Sequence, residues 1–257
     1  MGQIIQSAFA DAWPLFTSRK IVYLILIVIA ALCWVLALNL PPAVSGPYGA
    51  MTDPRLGFAL DVVSGLGGLA VWFVIPAAVR TIQPSFAMTV GRVFGIIGIA
   101  IVIAVVIGVG MGILYGLAFW LFLKSSAVAI FFGALCIAAA LIYIFWIGIR
   151  WSQVVWAYLL SEPPNPFAAS WRLTAGRFWQ TFGFLIVLSI LATIVLGIVF
   201  SIVGSIAFVL PVAGFVTVPL GLAVYIWLLN VVYLGELRWF VRLQELASAG
   251  ARASATF

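Results

Sequence analysis

The chain contains no histidine, two cysteines and six acidic residues in 257. Each shortage excludes a chemistry. Without histidine, no serine has the partner that an intramembrane serine protease would need. Cys33 and Cys136 stand singly inside apolar runs. Such cysteines build neither a disulfide framework nor a metal cluster and act as small apolar filler. Six scattered acids supply no set of metal ligands. No phosphate-cradling G-x-x-x-x-G-K-[ST] loop is present. These deficits predict a protein that is not an enzyme and holds no metal or cofactor. Charge is scarce as well, at 7% of residues against roughly 25% in a soluble domain, which excludes an ordinary soluble fold.

What is abundant is apolar sequence. Hydrophobic residues make up 66% of the chain, and the mean hydropathy is +1.31. Several apolar runs exceed the roughly 18 residues that mark a membrane span. They are apolar throughout, which excludes an outer-membrane barrel with its alternating strands. The net charge of +6 does not point to nucleic acid, because the basic residues are spread along the chain at span ends. Topology and contact with anionic lipid account for them. The expected partners are membrane lipids, together with other membrane proteins or a second copy of the chain. The first apolar run, Ile21 to Leu40, is longer than the roughly 7–15 residues of a signal-peptide core. The Ala43–Ala50 stretch, interrupted by Pro47 and Tyr48, is a poor cleavage site, so the run reads as a retained helix.

The sequence predicts an all-α membrane protein with six spans, near 21–40, 58–79, 93–123, 127–149, 181–208 and 213–235. Pro41 and Pro42 end the first. Pro76 should kink or shorten the second, Lys124-Ser125-Ser126 marks the turn into the fourth, and Pro211 with Gly214 marks the turn into the sixth. With the N-terminus in the cytoplasm, ten of the twelve basic residues fall inside and only Arg55 and Lys124 outside. The positive-inside rule therefore predicts both termini in the cytoplasm.

Three short segments around Phe9, Phe86 and Phe167, 77 and 81 residues apart, each lead into a long span. In the first, Ile4, Ile5, Ala8, Phe9, Ala12, Trp13 and Phe16 share one helical face, and Gln3, Gln6, Ser7 and Asp11 take the other. Such a helix is expected in the interface plane with its apolar face in lipid, bent at Pro14. The third leader has Asn165 as N-cap and Pro166 at the first helical position. The second is shorter and carries Val90 where the others have tryptophan. The chain thus reads as a single transmembrane domain of three tandem units, about 1–82, 83–163 and 164–248, each an interfacial helix plus two spans. Helices 4 and 6 are expected to run on to about Leu160 and through Leu246, and residues 249–257 to form a disordered tail. Units that cross twice insert with one orientation, as parallel repeats do, and three of them predict a pseudo-threefold bundle.

Three groups of residues stand out as candidate sites. Arg80, Arg150 and Arg238 close the even spans, and with Trp151 and Trp239 they suit phosphate head groups; ordinary interface anchoring is the plainer reading. Gly108, Gly112 and Gly116, and likewise Gly197, Ser201 and Ser205, form small-residue stripes. These suit a dimer interface or a sliding surface, or, more plainly, packing inside the bundle. Asp61 is the one acidic residue within a span and Asn230 lies deep in the last. Asp61 is either a proton-relay carboxylate or an interfacial one facing water. Asn230 suits an interhelical hydrogen bond.

The phrase Pro166-Phe-Ala-Ala-Ser-Trp171-Arg-Leu-Thr-Ala-Gly-Arg177-Phe-Trp179, with its echo at Phe9–Arg19, resembles the six-helix membrane domain attached to some bacterial glycerophosphodiester phosphodiesterases and related stand-alone inner-membrane proteins. The resemblance implies a bacterial inner-membrane setting and the six-helix layout. The hydrolase part has no counterpart here, so no catalytic residues carry over. The function expected is non-enzymatic: organising or sensing the bilayer, or supporting a membrane complex. A small lipid or solute transporter, motivated by Pro76, Pro219 and Asp61, and an accessory subunit of a larger assembly are the alternatives.

Overall fold

A computed structural model describes residues 1–39, 54–161 and 163–254. The protein is 89% helical, with no strand among the described residues, as its unbroken apolar runs require. Its helices are α1 (Gly2–Ser18), α2 (Lys20–Ala37), α3 (Pro54–Arg80), α4 (Val90–Phe122), α5 (Ala127–Trp151), α6 (Val154–Ser161), α7 (Pro166–Thr174), α8 (Phe178–Val209) and α9 (Gly214–Ser254). Six stretches are long and apolar enough to cross a membrane: α2, Gly57–Arg80 of α3, α4, Ala127–Ser161 across α5 and α6, Phe178–Ile206 of α8 and Gly214–Ala249 of α9. They fall where the apolar runs put them. The loop expected after Pro41 lies outside the described residues as far as Asp53.

Hydropathy and burial run in opposite directions. The most apolar windows, in α4 and α8, have mean hydropathy 2.9 and are 11% buried, while those of α3 and α9 have 2.0 and are 56% and 44% buried. Lipid accepts any apolar side chain, so the outward helices need only hydrophobicity. The inward helices need shape, and small or polar residues supply it.

The chain divides into two compact units. Unit 1 comprises residues 1–86 and 186–239, and its core is built from three helical stripes. Tyr23, Leu26, Ala30, Trp34 and Ala37 of α2 recur every three or four residues and meet Ala59, Val63, Ala70 and Val74 of α3 and Val218, Leu222 and Ile226 of α9. Helix α1 joins this unit through the face expected to enter lipid. Ala8 and Ala12 are fully buried, Phe9 meets Trp227 edge-on at 5.7 Å and Phe16 stacks on Tyr23 at 5.1 Å. Trp13 alone of that face is largely exposed. The helix continues through Pro14, and the chain breaks instead at Arg19, which caps both α1 and α2.

Unit 2 comprises residues 87–185 and 240–257. Its spine is the antiparallel pair α4 and α5. Thr89 caps α4, its hydroxyl accepting from the Arg92 amide at 3.3 Å. Ser126 caps α5 in the same way from the Ala129 amide at 3.2 Å, and Ser125, at φ 53°, makes the turn that the Lys-Ser-Ser sequence marks. Helix α5 stops at Trp151 and α6 resumes at Val154, so the expected extension toward Leu160 exists with a break at Ser152-Gln153. Helix α9 continues to Ser254, into the stretch expected to be disordered.

The second leader forms no helix: residues 81–89 are turns and extended chain. Two arginines hold them that way. Arg80 Nε donates to the Phe86 carbonyl at 3.0 Å, and Arg92 Nη1 to the Ala87 carbonyl at 2.7 Å. Carbonyls taken by side chains, with Pro84 lacking an N–H, leave too little for a helical turn.

Candidate functional site

The site grows out of the end of α5. Ile142, Phe145, Trp146 and Ile149 lie at i, i+3, i+4 and i+7 and so share one stripe. Phe178, Trp179 and Phe182 of α8 face them across a groove of about 370 Å³ with almost wholly apolar walls. Its aromatics interlock: Phe145 meets Phe182 at 6.3 Å, Phe178 stacks on Phe182 at 6.4 Å, and Trp179 meets both.

Arg150 follows directly on this stripe. Its guanidinium carbon lies 5.1 Å from the Trp171 ring centre and 5.5 Å from that of Phe178, within cation–π range of both. Trp171 is fixed by Trp146, edge-on at 4.7 Å. The half-buried arginine keeps its Nε and Nη1 out of solvent and without a hydrogen-bond partner. Its main chain is satisfied, since the Ser170 hydroxyl donates to the Arg150 carbonyl at 2.7 Å, one of the carbonyls a helix end leaves free.

Local sequence explains how two aromatics reach one arginine. Asn165 caps α7 as its sequence predicts, Oδ1 accepting from the Ala168 amide at 3.0 Å, with Pro166 at the first turn. Helix α7 then ends, and Gly176, at φ +73°, turns the chain into α8. A side chain disfavours that backbone region. The turn sets Trp171, on α7, and Phe178, the first residue of α8, on the same guanidinium.

The other expected site residues divide between the two units. Arg80 and Arg238 belong to unit 1 and Arg150 to unit 2. Arg80 holds the turn after α3. Arg238 pairs with Asp11 of α1, leaving Nη1 buried and unpartnered. Trp151 packs edge-on against Phe167 at 4.9 Å, and Trp239 is buried. The small-residue stripes face outward: Gly108, Gly112, Gly116, Gly197, Ser201 and Ser205 are exposed, and a Cβ on any of those four glycines would meet nothing within 4 Å. Among the described residues, nothing packs on these positions. Asp61 is exposed between the core positions Ala59 and Val63. Asn230 is fully buried; its amide donates to the Ile226 carbonyl of its own helix at 2.8 Å, and the Tyr23 hydroxyl of α2 is its neighbour.

The aromatic partners of Arg150 were not legible as such: Trp171 and Phe178 look like ordinary interfacial residues, and Trp151 stands nearer in sequence. Among the described residues no three His, Cys, Asp or Glu side chains gather where a metal could be held. No protein-family model, curated protein or solved structure matches the chain.

Proposed function

We propose that this is a non-enzymatic, multi-pass protein of a bacterial inner membrane, with both termini in the cytoplasm, that organises or senses the bilayer through bound lipid or supports a membrane complex. The observation that carries the reading is Arg150, a cation at the end of a spanning helix, set against the rings of Trp171 and Phe178, the second of which also lines an apolar groove. An arginine so placed suits contact with lipid at the membrane boundary. The ten-to-two distribution of basic residues supports the orientation. The filled core of unit 1, closed by Tyr23, Leu26, Trp34, Leu222 and Ile226, favours a scaffold over a transporter.

Two measurements test the reading. Single cysteines at Ser125 and Ser161, in a chain freed of Cys33 and Cys136, are expected to label from the outer and the cytoplasmic face respectively; the reverse pattern overturns the orientation. Purification from native membranes in mild detergent is expected to retain lipid or a stable partner protein. Recovery of neither would remove the basis of the functional assignment.

A further inference from the structure

We infer that the groove between α5 and α8 is a binding site for one anionic phospholipid, its phosphate on the guanidinium of Arg150 and an acyl chain along Ile142, Phe145 and Phe182. This rests on the lipid reading above and gives it an address and a charge preference.

The first observation is the state of the arginine. Buried donors of a charged group ordinarily find partners, and leaving them unmet is costly. Arg150 has two such donors, and its neighbours are ring faces and a groove without a carboxylate. Ring faces stabilise a cation but accept no strong hydrogen bond. Both donors are closed to solvent, so a phosphate meets them once the side chain turns toward the groove; it then supplies the missing acceptors and charge, and charge-assisted bonds from arginine to phosphate are among the strong ones. Binding would break no existing polar contact of that guanidinium.

The second observation is the groove itself. About 370 Å³ of nearly pure apolar wall includes Phe178, the ring that lies against the cation, and has nothing to offer a free inorganic ion. It suits a hydrocarbon chain. The combination of one cation and one adjoining apolar slot matches an amphiphile with a phosphate at its head. Ile142, Phe145 and Trp179 at the rim are all more than half exposed, so a lipid can enter from the side. The other two arginines already have polar partners: Arg80 donates to a main-chain carbonyl, and Arg238 pairs with Asp11 while keeping one buried donor unmet.

Native mass spectrometry of the full-length protein, delipidated in detergent, gives the test. The protein is offered equal phosphatidylglycerol and phosphatidylcholine of the same chain length. One equivalent of phosphatidylglycerol is expected to be held in preference. Arg150→Gln should reduce that preference by about tenfold, the scale of one lost charge-assisted contact. Arg150→Lys should restore part of it. Ile142→Trp, which fills the slot without touching the arginine, should weaken retention of both lipids and keeps the test valid if Arg150→Gln fails to fold. Arg242→Gln, an exposed charge elsewhere, should change nothing. Equal retention of the two lipids by the wild type refutes the site, as does wild-type selectivity in Arg150→Gln or, where that variant fails to fold, wild-type retention of both lipids in Ile142→Trp. Displacement of the bound lipid by glycerophosphoglycerol or inorganic phosphate alone would assign the arginine to a free anion and overturn the lipid assignment. A protein that keeps co-purified lipid or a partner yet shows no head-group preference refutes this site and leaves the broader function standing.

Discussion

The Tyr143 hydroxyl of α5 donates to the main-chain carbonyl of Val106 on α4 at 2.9 Å, and its ring lies where a side chain at position 110 would be. Gly110 is thus one of the positions that let the two helices of this pair close on one another, as is Gly133 of α5 against Phe122. Gly110→Ala is expected to force the ring aside and destabilise the protein by about 1–3 kcal/mol, the usual cost of overpacking. Tyr143→Phe removes only the hydrogen bond and should cost about 0.6 kcal/mol, a typical value between membrane helices. Thermal unfolding in detergent followed by tryptophan fluorescence ranks the two; an unchanged melting point for Gly110→Ala would contradict the contact.

The neighbouring glycines behave oppositely. Gly108, Gly112 and Gly116 are exposed, and a Cβ on any of them would meet nothing within 4 Å among the described residues. Gly112→Ala should change stability by no more than about 0.5 kcal/mol, and in the stabilising direction, since alanine is the better helix former. A loss as large as that of Gly110→Ala would mean that another surface covers the stripe.

Asp11 and Arg238 tie the first helix to the last within unit 1. Their side chains are 54% and 24% exposed, so the pair should contribute only about 0.2–1 kcal/mol. Asp11→Asn is expected to give a small loss that shrinks further at high salt. The charge-reversed pair, Asp11→Arg with Arg238→Asp, should recover stability lost by either reversal alone. Failure of the double reversal to recover anything would show that the pairing is incidental.

Tyr23 and Asn230 pose a sharper question. The tyrosine hydroxyl and the asparagine amide are neighbours in the core of unit 1, yet the hydroxyl and Asn230 Oδ1 both fall short of full hydrogen-bond geometry. A double-mutant cycle of Tyr23→Phe and Asn230→Leu should give a coupling near the 0.6 kcal/mol average for membrane proteins. Strict additivity would show that the two polar groups ignore each other, and that Asn230 serves only its own helix through Ile226.

The sequence made the spans, the Asn165 cap and the Ser125-Ser126 turn visible because each depends on residues close in the chain. Helix length follows from an apolar run, and a cap from one side chain and the amide three residues on. What it hid depends on distant partners. The apolar face of α1 looked lipid-facing because amphipathicity gives a face but not its neighbour; Trp227, which meets Phe9, lies 218 residues further along the chain. The glycine stripe of α4 looked like the packing face, and Gly95 and Gly110, off that stripe, are the ones whose space a tyrosine ring takes. The second leader, read as a helix by analogy with the others, is unwound by Arg80 and Arg92 capturing its carbonyls. Arg150 was visible as a candidate through its place at a span end. Its setting was not, since it takes the turn at Gly176 to place Trp171 and Phe178 on one guanidinium.

The opposite trends of hydropathy and burial bear on how the chain is made. Windows of mean hydropathy 2.9 in α4 and α8 partition into a bilayer on their own account. Helix α3, at 2.0 and more than half buried, rests its core residues on Val218, Leu222 and Ile226 of α9, which are synthesised well over a hundred residues later. At about 5–20 residues per second, α3 waits several seconds or more for the surface that completes it. During that interval its core face is open to other helices or to a membrane protease. Chains stalled before Gly214 should therefore be degraded faster than full-length ones, with α3 as the segment most exposed to attack.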